Sequence, residues 1–398
     1  DRDVTGVQTC ALPIWRRDAQ ERLRPLDAAE LAEAEARLGG RIVNIPLMAG
    51  FELDAPAGTP TPTELLAALK LADWQAARLD WAQVARCREA GVQRFRAALA
   101  QAMGELERAI PDGARVLFAH TMAGGIPRSK VFLALANRIY KGRGARFLPA
   151  RALLDSDLGR LILMNFEEVT ANSFQHLIEA SGPLRARLAG SGGAVRYTAY
   201  GYHGTEILLG GAYRWQTYTH STQGYAKRHL ERHAEAAWAR GIRATVFNCP
   251  EIRTNSSDIF AGVELSLFPL LRALQREGGG AWAAAQWAHC QGLLADGVAL
   301  QEILDTIERY HADPAVARCR DFAAWPMDNT AELAEAMLGT AEAITQRHKD
   351  RRALISDQLS ALVLEATGPL ILRAAAAPPG PVLWLGHDII AQQLNRMH

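Results

Sequence analysis

Ala114 to Gly125 reads ARVLFAHTMAGG, a short apolar run that stops at His120-Thr121 and closes on a glycine pair. Such a run, rich in aromatic and branched residues and bounded by turn residues, has the pattern of a buried strand. Pro111-Asp112-Gly113 supplies the turn before it. The pattern recurs downstream in GGAVRYTAYGYHG (Gly192 to Gly204) and in RATVFNCP (Arg243 to Pro250). A helix around Phe166 to Ala180, closed by Ser181-Gly182-Pro183, separates the first two strands. Another, from near Gln223 to about Arg240, separates the second from the third. Strands alternating with helices in this way give an α/β fold, a doubly wound parallel sheet with helices on both faces. Ligands of such sheets sit outside the carboxyl ends of the strands. Those ends are His120-Thr121, Ala199 to His203 and Cys249 to Thr254, and polar residues gather at all three.

Outward from this centre the pattern turns helical. Asp18 to Leu38 reads as a helix stopped by Gly39-Gly40, and Arg41 to Gly50 as a further buried strand. A Pro/Thr/Gly-rich loop spans Pro56 to Pro62, and two or three helices follow as far as Ile110. Leu265 to Arg276 is helical, as is most of the chain beyond Trp282, where PPGPVLWLGHD is a Pro-flanked short strand or loop. The string VTGVQTCALPI (Val4 to Ile14) resembles the translation of a sequencing-library adapter. The expected organisation is therefore residues 1–14 as an artefact, 15–280 as the α/β domain and 281–398 as a helical extension.

Composition narrows the function. The 398 residues are 49% hydrophobic and 22% charged with a net charge of +1, so neither nucleic acid nor a membrane surface is favoured as a partner. No uninterrupted apolar run approaches the roughly 20 residues of a membrane helix. The five cysteines are scattered and form no CxxC pair, which points to a reduced, cytoplasmic protein with neither a disulfide framework nor a zinc knuckle. His229 and His233 share a helix face, but HLERH lacks the glutamate of a zinc-protease motif, so no metal is expected. No G-x-S-x-G or cysteine-nucleophile setting occurs, which disfavours a hydrolase.

The chemistry gathers in YTHSTQGYAKRHLE, where eight residues separate Tyr218 from Lys227. An ammonium beside a phenol favours the phenolate and makes the tyrosine a usable proton donor or oxyanion stabiliser near neutral pH. Tyr225 is too close in sequence to share a helix face with Lys227, so Tyr218 would precede the helix and fold back. The bland alternative makes Tyr218 an ordinary turn residue and Lys227 part of a solvated helix face. Thr254, four residues after Pro250, is equally a helix cap. Arg128 and Lys130 read more readily as a solvated face than as a phosphate site, and His203 and His220 as polar loop residues.

The order of these features resembles the short-chain dehydrogenases and reductases. Pro250 followed by Thr254 is similar to their strand-ending proline and cofactor-contacting threonine, although Glu251 stands where they usually carry glycine and the turn is one residue shorter. VLFAHTMAGG resembles their strand ending in Asn-Asn-Ala-Gly, with His120-Thr121 in place of the asparagines. Closer resemblance is to the FabV and trans-2-enoyl-CoA reductases. Their tyrosine and lysine have the same separation, and their Thr-x-x-Ser segment is similar to Thr254 to Ser257; a further tyrosine matches Tyr202 or Tyr200. Val116 to about Gly280 also resembles the FabMG enoyl-ACP reductases, notably in HTMAGGIPR, YGYHGTE and PEIRTNSS.

The resemblance implies a Rossmann-like fold and a nicotinamide cofactor, NADH or NADPH, held by Lys227, His120, Thr121 and Thr254. The substrate it implies is a trans-2-enoyl thioester on acyl carrier protein or CoA, with Tyr218, Lys227 and Tyr202 as catalytic residues. No glycine-rich phosphate loop in a strand–turn–helix setting occurs, so the first strand and that loop are expected to be missing, and cofactor binding with them. A ketoreductase of the same fold and a non-catalytic protein retaining it are the rival readings, and oligomeric state is left open.

Overall fold

A computed structural model of the chain describes residues 15–17, 23–40, 42, 47–127, 129–201, 203–216, 221–253, 262–320 and 329–398. At its centre lies a four-stranded parallel sheet. With β1 (Trp15–Arg17) and β2 (Leu23–Pro25) forming a small antiparallel pair at the start of the chain, the central strands are β3 (Arg115–His120), β4 (Ala194–Gly201), β7 (Ala244–Asn248) and β8 (Val382–Trp384), in that spatial order. An antiparallel hairpin, β5 (Thr205–Leu209) and β6 (Ala212–Gln216), is inserted after β4. The three strands expected from sequence are all present, and the register carries their polar ends to one edge. His120 pairs with Ala199, Gly201 with Asn248, and Asn248 with Trp384.

Side-chain alternation explains why helices cover both faces. Val195, Tyr197, Ala199 and Val246 turn to one side, where they pack with Phe174 and with Leu230, Ala234 and Ala237 of the Ser221–Ala239 helix. Phe247 turns to the other side and joins Leu359, Val363 and Ala366 of the Ile355–Ala376 helix. Both faces of β7 are therefore buried, and three of its five residues, Ala244, Val246 and Phe247, are apolar. A third cluster, built on Phe51, Leu135, Leu158 and Phe166, holds the helices that precede the Glu168–Asn172 turn.

Several boundaries depart from expectation. The first helix begins at Ala28 behind an Asp27 capping box, and residues 23–25 are extended because Pro25 cannot sit inside a helix. Half of the strand expected at Arg41 to Gly50 lies outside the described residues, and 47–50 form no strand. The β5–β6 hairpin was not anticipated, although Gly210-Gly211 between two apolar runs is its ordinary cue; both glycines have positive φ, 55° and 75°. Val382–Trp384 does form a strand and completes the sheet beside β7. The Ile355–Ala376 helix, 22 residues with a mean hydropathy of 1.4 in its most apolar window, is long and apolar enough to cross a membrane. Asp357, Glu365 and Arg373 interrupt it, in keeping with the absence of an uninterrupted apolar run of that length from the sequence. The inner face of this helix lies in the core described above.

Burial has a further consequence for the imidazoles. His120, His311 and His387 are almost fully buried, and burial pushes them down to about 3, 4 and 3. His176, His233 and His348 are displaced in the same direction, again mainly by burial. An unfolded chain takes up protons at these groups near pH 6.5, whereas the folded chain resists them. Stability is therefore complete above about pH 6.5 and is lost as pH falls toward the folded-state values. Glu251, raised by burial and by Glu264, works in the opposite sense, but it stands alone against the histidines. The urea midpoint should fall measurably between pH 7 and pH 5; a midpoint constant over that range would contradict the burial of these rings.

Candidate active site

The carboxyl edge of the sheet is organised by the Ser221–Ala239 helix. Lys227, on its second turn, is 1% exposed, and its Nζ donates to the carbonyl of Tyr200 near the end of β4. A buried ammonium needs acceptors, and the last carbonyls of a parallel strand point toward this edge. The bland reading of Lys227 as a solvated residue is thereby overturned. Its charge also reaches His120, where, after burial itself, it is the next influence holding that ring down. Two residues singled out from sequence, on separate elements, thus share one electrostatic environment.

His120 closes β3, and its Nε2 lies 2.7 Å from Ser173 Oγ. The serine hydroxyl is already donating to the Val169 carbonyl at 2.6 Å, so it accepts from His120 and the ring carries its proton on Nε2. Nδ1 is then an acceptor, buried, and without a hydrogen-bond partner among the described residues. Ser173 reaches this position because the helix from Asp157 to Ala180 is interrupted by a π-helical turn at Glu168–Asn172. Such a turn inserts a residue and re-aims the side chains after it. The same turn docks the glycine loop beyond β3. Thr170 Oγ1 donates to the Gly124 carbonyl at 3.0 Å and Asn165 Nδ2 to that of Gly125 at 2.9 Å. Gly125 crosses the helix so closely that any side chain would strike the backbone of Phe166. Gly124, with φ 108°, faces open space.

A second set of polar groups lies one turn further along the Lys227 helix. Glu231 Oε1 is 2.7 Å from His203 Nε2 and accepts from Asn248 Nδ2 at 2.6 Å. Glu251, just past β7 where the resembling reductases carry glycine, is buried, and that burial holds its carboxyl well above the usual range. His229 and His233, read as an improbable metal pair, instead meet separate partners, Glu167 Oε1 at 2.9 Å and Asn172 Oδ1 at 3.0 Å. Thr121 follows His120 in the loop and is half-buried, and Lys130 begins the Lys130–Tyr140 helix. Tyr202, Tyr218, Thr254, Arg128 and His220 lie outside the described residues.

Asn165, Thr170, Ser173, Glu231 and Asn248 were missed from sequence. Glu231 had a signal, its i+4 spacing from Lys227, and Asn248 another, as a polar residue in an apolar strand. Ser173 had none, because ordinary helical periodicity does not register a π-helical turn.

A parallel α/β sheet with a buried lysine at its carboxyl edge, beside a glycine loop and a strand-ending histidine, gives a Rossmann-like α/β architecture. The comparisons give the family. The profile of the enoyl-acyl carrier protein reductase FabMG matches residues 2–394. The solved ligand-free structure of a FabMG, described as a novel type of enoyl-acyl carrier protein reductase, is 64% identical; the alignment covers 97% of this chain and 88% of that one with a TM-score of 0.90. An NADH-bound FabMG structure is 57% identical over 90% of this chain and 85% of that one, with a TM-score of 0.76. No curated protein sequence matched the chain. The chain belongs to the FabMG family of enoyl-acyl carrier protein reductases.

Removing the Ser173 hydroxyl should strand a buried imidazole N–H. Ser173→Ala is expected to lower unfolding free energy by about 1–3 kcal/mol at pH 7.5, measured by denaturant titration. An unchanged midpoint would show that His120 has another acceptor.

Proposed function

We propose that this chain reduces the 2,3 double bond of a trans-2-enoyl thioester carried by acyl carrier protein, in fatty-acid synthesis, with NADH as reductant. The observation that carries the reading is the convergence of Lys227 and His120 at the carboxyl edge of the sheet, in a chain of this family. The fit to a nicotinamide cofactor rests on two features. His120 Nδ1 offers a buried acceptor to an amide or hydroxyl donor, and Gly124, in the loop that follows, leaves a side-chain-free surface. Lys227, His120 and Thr121 would hold the cofactor, with Thr254 on the following strand end.

NADH, when bound, supplies the hydride that adds to the β-carbon of the enoyl group. Negative charge then develops on the thioester oxygen, and the hydroxyl of Tyr218, with that of Tyr202, would stabilise it. Lys227 acts twice in this reading, by holding a ribose hydroxyl and by favouring ionisation of the Tyr218 phenol. An ammonium has three N–H donors, so the bond to the Tyr200 carbonyl is compatible with both tasks. The order of Tyr218, Lys227, Pro250 and Thr254 along the chain supports kinship with the short-chain reductases and the FabV type.

The test is NADH oxidation with a crotonyl thioester against an acetoacetyl thioester. Turnover is expected with the first and not the second; the reverse would make the chain a ketoreductase. Tyr218→Phe should lower kcat by about 100-fold or more, with the KM for NADH little changed. Unaltered turnover in that variant would remove Tyr218 from the mechanism.

A further inference from the structure

Glu231 follows Lys227 by one helical turn, so both project from one side of the Ser221–Ala239 helix. The helix packs its apolar residues Leu230, Ala234 and Ala237 on the sheet. Its two polar residues on that side meet the strand ends instead. Lys227 takes the carbonyl of Tyr200, and Glu231, 9% exposed, takes the side chain of His203 at 2.7 Å. The two contacts tie the helix to Tyr200 near the end of β4 and to His203 beyond it.

The same Glu231 oxygen accepts from Asn248, the last residue of β7, at 2.6 Å. Trp384, the last residue of β8, stands edge-on to the His203 ring at 5.3 Å and 86°. One carboxylate therefore organises the carboxyl ends of three neighbouring strands. Gly201 is required for closure, since a Cβ there would lie 2.6 Å from Asn248 Oδ1. The His203 ring also forms a wall of a cavity of about 450 Å³, which Glu231 itself borders together with Trp215, Trp384, Glu235 and three arginines. A buried carboxylate adds little to stability compared with well-packed apolar side chains. The hydrogen bonds that Glu231 makes to His203 and Asn248 nonetheless fix one geometry among several, although Asn248 Oδ1 has no hydrogen-bond partner among the described residues, and a single geometry is what a reacting site needs.

We propose that Glu231, with Asn248 and His203, is a positioning network for the enoyl reduction: it fixes the carboxyl end of β7 against the Ser221–Ala239 helix and sets the face that His203 presents to the cavity. Glu231 acts by holding His203 and Asn248 in place. The inference rests on the reductase reading above.

Glu231→Gln, His203→Gln and the double variant of the full chain are to be compared using crotonyl thioester and NADH, with thermal midpoints measured alongside. Each single substitution is expected to lower kcat about tenfold or more, with the KM for NADH changed less than about twofold. The double variant should lose little beyond the worse single one, because the residues act as a unit. A folded Glu231→Gln protein with kcat within about twofold of the unsubstituted chain overturns the proposal, as do losses that multiply in the double variant. Should Glu231→Gln fail to fold, His203→Gln decides by the same criterion, since its ring borders the cavity. Absence of turnover in the unsubstituted chain removes the reductase reading and this inference together, whereas turnover insensitive to all three variants removes this inference alone.

Discussion

A buried ammonium in contact with the end of a parallel strand is the constraint on which the site depends. Lys227 cannot be taken out of water without acceptors, and the carbonyl of Tyr200 supplies one where β4 ends. That contact sets the height of the Ser221–Ala239 helix against the sheet. Glu231, a turn later, is then level with His203 and Asn248. The apolar residues between and beyond them bury the rest of the helix. Packing holds the helix to the sheet, and the charged residue decides its register.

The opposite flank of the edge is set by a different device. A π-helical turn at Glu168–Asn172 breaks an otherwise continuous helical run and turns Thr170 and Ser173 toward the loop and strand end beyond Ala119. The glycine loop has little side-chain packing of its own, so two hydrogen bonds to its carbonyls, from Asn165 and Thr170, fix its path. His120 lies where the two devices meet: Ser173 orients its ring, and burial with the nearby Lys227 charge keeps it neutral. A neutral imidazole in a fixed tautomer presents one acceptor of known position, which suits recognition of an uncharged polar group.

The C-terminal region contributes to the same edge. β8 pairs with β7 and brings Trp384 against His203, while Thr205 donates to the Leu385 carbonyl at 3.3 Å. Leu208, Phe247 and Leu271 share one hydrophobic cluster with Leu300, Leu359 and Leu394 of the C-terminal region. The helical segment is thus packed into the α/β layer and its last strand extends the sheet, an arrangement that three residues between prolines and a glycine scarcely announce.

The alternation of short apolar runs with helical stretches determined the parallel sheet, and the polar residues ending those runs located the edge where ligands would bind. Both are local properties, written in periodicity and turn chemistry. Lys227 and His120 were legible for the same reason, each lying in or beside an element whose type the pattern already specified. What only tertiary structure decided was partnership. Ser173 meets His120 because of a π-helical turn that leaves no mark in hydrophobic periodicity, and Glu231 meets His203 and Asn248 because three strands end at one level. Distances across a sheet depend on register, and register is settled by the summed burial of both faces, which no single segment of sequence contains.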